Sequence, residues 1–136
     1  MLWNLYAACF DLVARLAPYQ DMLDEVVAAL DLRPGMRVLD AGCGTGALEA
    51  RLAERYPDVE VVAIDASPAM LARARRRTWS VSPHFVAGDI DDFLASEQGR
   101  FDRVVSVNVL WALADPRRTI EHMVDCLVQG LSLIHI

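Results

Sequence analysis

The sequence contains no lysine; all thirteen basic residues are arginine. A Schiff-base lysine and a phosphate-loop lysine are both excluded on that ground. Cysteine is scarce, with three residues (Cys9, Cys43 and Cys126), odd in number and widely spaced. They fit neither a disulfide framework nor a zinc site, and read as reduced thiols in a cytoplasmic protein. Long apolar runs are missing as well. The two longest, residues 5–10 and 109–114, have six residues each, whereas a membrane-spanning helix needs about 20. The apolar start of the chain has no basic segment before it and is cut by Asp11, so it does not read as a signal peptide. Positive charge is also short: thirteen basic residues face nineteen acidic ones, for a net charge of −6. That balance disfavours a nucleic-acid surface, which needs a basic stripe.

What is present is enough for one domain: 136 residues, 54% of them hydrophobic, within the usual single-domain range. Short β-branched runs alternate with helical stretches. Residues 36–40 (MRVLD), 60–65 (EVVAID), 82–87 and 101–107 (FDRVVSV) read as strands. Between them, residues 47–56 place Leu48, Leu52 and Tyr56 at four-residue spacing, with Glu49, Arg51 and Glu54 off that face. Ser67-Pro68 and Asp115-Pro116 each give a cap followed by a first-turn proline. After the second of them, Ile120, Met123, Val124 and Leu127 recur at helical spacing. Nearly continuous apolar strands separated by helices imply an α/β fold, a Rossmann-like, mostly parallel sheet with helices on both faces. Residues 1–33 differ, reading as two helices that part near Pro18 and form a helical prefix to the core at 34–130.

The chemistry concentrates in VLDAGCGTGALEARL, residues 38–52. A buried strand ends at Asp40, and Gly42, Gly44 and Gly46 then turn the chain into a helix. Such a loop admits a ligand close to the backbone, and the helix start attracts an anionic group. Gly42-x-Gly44-x-x-Ala47 also satisfies the dinucleotide fingerprint, and Asp65 at the end of the second strand suits ribose hydroxyls in either case. Asp40 would disfavour a pyrophosphate but suits an ammonium or sulfonium. Asp89, in Gly88-Asp89-Ile90, suits an adenine amino group. Together these point to an adenosine with a cationic, zwitterionic tail.

VLDAGCGTG, VVAIDASPAML, FVAGDIDDF and FDRVVSVNVLWAL, in that order, resemble the successive motifs of class I S-adenosylmethionine-dependent methyltransferases. The resemblance runs from about Met36 to Leu127. It implies that Asp40, Gly42, Cys43, Gly44 and Gly46 surround the methionine part of the cofactor. By the same resemblance Asp65 holds the ribose hydroxyls, Ala66 and Met70 pack on the adenine, and Asp89 faces its amino group with Ile90 stacking beside it. Asn108 borders the methyl-transfer site. Other roles fit some of these residues: Met70 suits the apolar side of its helix, Asp89 suits the cap of a short helix beginning near Asp91, and Asn108 suits a strand-end turn. The prefix is similar to the segment covering the active site in small-molecule and lipid methyltransferases, including those of ubiquinone and menaquinone biosynthesis. Trp3, Tyr6, Phe10 and Tyr19 are then lid candidates, with Trp111 facing them; they equally suit anchoring of the helices. Arg73, Arg75, Arg76 and Arg77 read as a solvated helix end complementing the dipole.

The expected activity is methyl transfer from S-adenosylmethionine to a small-molecule or lipid acceptor, with no general base identified. The alternatives are an NAD(P)-binding dehydrogenase domain and a non-catalytic binding module of the same fold. The family pattern continues into further strands, whereas this sequence ends in LSLIHI, an atypical tail at 131–136 similar to translated sequencing-adapter read-through. The last strands of the family sheet are therefore expected to be missing. The bared hydrophobic edge is an expected route to self-association.

Overall fold

The computed structural model describes the backbone of residues 9–135 and the side chains of residues 9–128. Five strands, β1 (Arg37–Ala41), β2 (Glu60–Asp65), β3 (His84–Ala87), β4 (Phe101–Ser106) and β5 (Leu127–His135), form one sheet in the order β3-β2-β1-β4-β5. Every pairing is parallel. β1 is central, with β2 on one side and β4 on the other, so the connections diverge at its carboxyl end. In open α/β sheets that divergence opens a ligand crevice. β5 takes the edge beside β4 and carries the expected tail into the sheet through His135, with a register irregularity near its start.

The sheet is covered by helices α1 (Ala17–Ala29), α2 (Ala47–Arg55), α3 (Pro68–Arg75), α4 (Ile90–Ser96) and α5 (Pro116–Asp125). Alternation along the strands sends Val38, Val61 and Val105 to one face, where α1 and α2 pack. Leu39, Val62, Ile64 and Val104 point to the other, under α4 and α5. In α1, Leu23, Val26, Val27 and the capping Leu30 repeat at helical spacing and are all fully buried. The C-terminus of α1 is fixed by Arg103 of β4, a buried arginine whose Nε donates to the Leu30 carbonyl at 2.7 Å. A cation is favourable at that end of a helix dipole.

Three sequence expectations shift. Pro18 lies inside the first turn of α1 instead of separating two helices, because a proline near a helix start forfeits no internal hydrogen bond. The break falls earlier, where residues 9–13 are helical and residues 14–16 turn. In α5 the buried stripe is Thr119, Met123 and the capping Cys126, while Val124 is half exposed. Glu49, expected off the apolar face of α2, is fully buried. Both caps form as read: Ser67 accepts from the Met70 amide at 3.3 Å, and Asp115 from the Arg118 amide at 3.1 Å.

Candidate functional site

From β1 the chain turns through Gly42-Cys43-Gly44-Thr45-Gly46 into α2. The amides of Gly42 and Cys43 both donate to the Ile64 carbonyl, at 2.8 and 3.0 Å, tying the loop to the end of β2. The glycines serve different ends. Gly42 has φ +95°, and a Cβ there would stand 2.3 Å from Val109 Cγ2. Close packing by the segment after β4 therefore requires it. At Gly44, with φ +58°, a Cβ would meet only Phe10 Cε1 at 3.9 Å, because this residue faces a cavity. Gly46 is the N-cap of α2.

The cavity, of about 400 Å³, lies at the carboxyl ends of the strands, within the size range of small-molecule sites. Of the residues singled out in the sequence, Gly42, Gly44, Asp65, Ala66, Met70, Ile90 and Asn108 line it together with Phe10 and Trp111. Asp65 is the only titratable side chain among the described residues lining it. Its Oδ2 accepts from the Gly44 amide at 2.8 Å and its Oδ1 from the Ser67 amide at 2.7 Å. Burial pushes this carboxyl above its ordinary value, and the two amide hydrogen bonds oppose that rise.

Asp40, Cys43, Gly46 and Asp89 do not line the cavity. Asp40 is 2% exposed and faces Glu49 beneath α2. Asp40 Oδ1 and both Glu49 oxygens lack a protein hydrogen-bond donor, so this buried pair is tolerable only when it shares a proton. Burial, followed by the Glu49 charge, holds the Asp40 carboxyl well above the carboxylate range, and burial also raises Glu49. Cys43 is buried beside the same acids. Desolvation and their charges push its thiol far up, which removes it as a nucleophile. Asp89 is exposed and caps α4, accepting from the Asp92 amide at 3.0 Å.

Asn108 holds φ +57°, a left-handed conformation in which asparagine is among the better tolerated residues. Its carbonyl accepts from Trp111 Nε1 at 2.8 Å, orienting an indole that is 63% exposed. Tyr19 stands behind Phe10, edge-to-face at 5.6 Å between ring centroids. Trp3 and Tyr6 lie outside the described residues. Sequence reasoning missed Ser67, Val107, Val109 and Leu113 as lining residues. For Val109 and Leu113 the signal was the apolar run at 109–114, which a 3₁₀ turn at Leu110–Ala112 folds over the cavity. Among the described residues no helix is long and apolar enough to cross a membrane, and no group of side chains is arranged to hold a metal ion.

Residues 38–130 match the family described as "Methyltransferase domain". The chain is 36% identical over 117 residues to the trans-aconitate 2-methyltransferase of Deinococcus radiodurans, covering 86% of this chain and 42% of that protein. It is 34% identical over 113 residues to a ubiquinone biosynthesis O-methyltransferase of Xanthomonas campestris pv. campestris, covering 82% and 46%. Among solved structures, a SAM-dependent methyltransferase from Thiobacillus denitrificans in complex with S-adenosyl-L-homocysteine superposes with a TM-score of 0.71. The identity is 26%, over 85% of this chain and 47% of that one. The chain thus spans less than half the length of these relatives.

Proposed function

The chain belongs to the methyltransferase-domain family, the class I S-adenosylmethionine-dependent group; from that premise we propose that its cleft binds S-adenosylmethionine and serves methyl transfer to a small-molecule or lipid acceptor. The observation that carries this reading is the convergence of Gly44, Asp65, Met70, Ile90 and Asn108, from four separate segments, on one cavity. The fit to the cofactor rests on its composition: a mostly apolar cleft with one lining carboxylate, Asp65, and a glycine whose missing Cβ leaves room. The name of the Thiobacillus relative's ligand, S-adenosyl-L-homocysteine, supports the same choice.

Bound there, S-adenosylmethionine would supply an electrophilic methyl group on a sulfonium centre. Asp65 would hold the ribose hydroxyls, since each of its oxygens accepts one amide and keeps capacity for a further hydrogen bond. Met70 and Ile90 offer apolar surface to the adenine. Asp89, at the N-terminus of α4, retains a free carboxylate edge for the adenine amino group, in addition to its cap. Asp40 lies outside the cavity, paired with Glu49, and would act on the cofactor's cationic part only through its charge. Asn108 and Trp111 border the acceptor side, and Phe10 closes the opposite wall. These groups position the reactants and exclude water, which is the main task when the donor is already activated. Trans-aconitate and ubiquinone-pathway relatives support a small-molecule or lipid acceptor.

The test is calorimetry of the Asp65→Ala variant with S-adenosylhomocysteine. Loss of hydrogen bonds to a charged group weakens binding by about tenfold or more. Unchanged affinity, in a variant with a preserved thermal transition, would remove Asp65 from the site and with it this reading of the cleft.

A further inference from the structure

A second groove, of about 570 Å³, lies across the glycine loop from the cofactor cleft, between residues 11–20 and helices α2 and α3. Five of the thirteen arginines converge on it (Arg15, Arg51, Arg73, Arg76 and Arg77), against a single lining carboxylate, Asp11. In a chain of net charge −6, that is a pronounced local reversal of sign. A solvated helix end, as read from the sequence, accounts for arginines of α3 alone. It does not account for Arg15 and Arg51, which reach the same space from other segments.

Three of the five are already oriented. Arg73 Nη1 bonds Asp11 at 2.7 Å, Arg51 Nε bonds Asp24 at 2.9 Å, and Arg77 Nε donates to the Thr45 carbonyl at 2.7 Å. Arg15 and Arg76 have no ion-pair partner among the described residues. A second observation is independent of charge. Thr45, only 1% exposed, is among the residues lining the groove, and its buried hydroxyl has no hydrogen-bond partner among the described residues. A buried hydroxyl left so is unfavourable and calls for a partner that the protein does not supply. It also stands at the start of α2, the positive end of that helix.

We infer that this groove is a binding site for a small ligand carrying two or more oxyanion groups, phosphate or carboxylate. Guanidinium groups pair with such groups in bidentate fashion, and the Thr45 hydroxyl donates to one of their oxygens. The inference does not rest on the proposed methyl transfer, since the groove and the cleft share only Ala69 among their lining residues.

The experiment is calorimetric titration of the 136-residue chain with inorganic pyrophosphate and, separately, with citrate, at low ionic strength matched with chloride. Saturable one-to-one binding of at least one of them is expected; pyrophosphate alone identifies a phosphate ligand, citrate alone a polycarboxylate. The Arg15→Ala/Arg76→Ala double variant should bind about tenfold or more weakly. Thr45→Val should also bind more weakly while melting no lower than the parent, because a methyl replaces an unpartnered hydroxyl. The arginine double variant should retain the parent's affinity for S-adenosylhomocysteine. Absence of saturable binding of either anion by the folded chain overturns the inference. So does binding unaffected by the arginine substitutions, or competition between the anion and S-adenosylhomocysteine, which would put the anion in the cleft.

Discussion

Replacing Gly42 by alanine should destabilise the chain through two separable effects. The backbone at φ +95° is disfavoured for a residue with a Cβ, by roughly 1–2 kcal/mol. The new methyl would also sit 2.3 Å from Val109 Cγ2 and 2.9 Å from Cγ1, and relieving such overpacking typically costs about 1–3 kcal/mol. Part is offset by the lower entropy of the unfolded alanine chain, by about 0.4–1 kcal/mol. The net loss is then about 2–4 kcal/mol, a fall in Tm on the order of 10 °C for a domain of this size. Gly35 supplies the control. It has φ +84° but nothing within 4 Å of a built Cβ, so Gly35→Ala should lose only the backbone part less the same offset, a net of about 1 kcal/mol. Thermal unfolding followed by circular dichroism measures both. Adding Val109→Ala to Gly42→Ala should recover part of the loss, a coupling of about 1–3 kcal/mol between contacting residues. Equal losses at Gly35 and Gly42, or no recovery on trimming Val109, would refute the claim that the post-β4 segment dictates this glycine.

The buried acids make a pH prediction. Asp40, Glu49 and Asp65 have folded values raised above the ordinary carboxylate range, so the folded chain binds their protons more tightly than the unfolded chain. Their penalty is absent below the unfolded values, grows as pH rises from the unfolded to the folded ones, and is constant above them. Asp40→Asn, which mimics the protonated acid, should therefore gain in Tm relative to the parent as pH rises above the ordinary carboxylate value of about 4; parallel melting curves would contradict the shared proton. Asp89→Ala should lose about 1 kcal/mol of stability with its cap and also weaken S-adenosylhomocysteine binding. A loss of stability alone would leave Asp89 as a cap only.

Much of this was legible because the signals were local. β2 spans Glu60–Asp65 as read, since an unbroken apolar run in a parallel sheet is bounded by the acids at its ends. Ser67 and Asp115 cap their helices because a cap needs only a side-chain oxygen and an amide three residues on. The glycine loop and Asp65 were readable for the same reason, as a strand end, a turn and a helix start in one stretch. The Glu49–Asp40 pair was not, because Glu49 looks like a surface acid until β1 presents a second carboxyl to it. The convergence of Arg15 and Arg51 with the α3 arginines likewise depends on tertiary placement of elements far apart in sequence. Val109 and Leu113 were hidden in an apolar run whose 3₁₀ turn has no marked periodicity.

The central claim is that the cleft was built for an adenosine bearing an amino-acid tail and not for a dinucleotide. Calorimetric titration of the 136-residue chain with S-adenosylhomocysteine and with NAD tests it most directly. Saturable one-to-one binding of S-adenosylhomocysteine is expected, with no heat of binding from NAD. Saturable binding of NAD with no response to S-adenosylhomocysteine would contradict it.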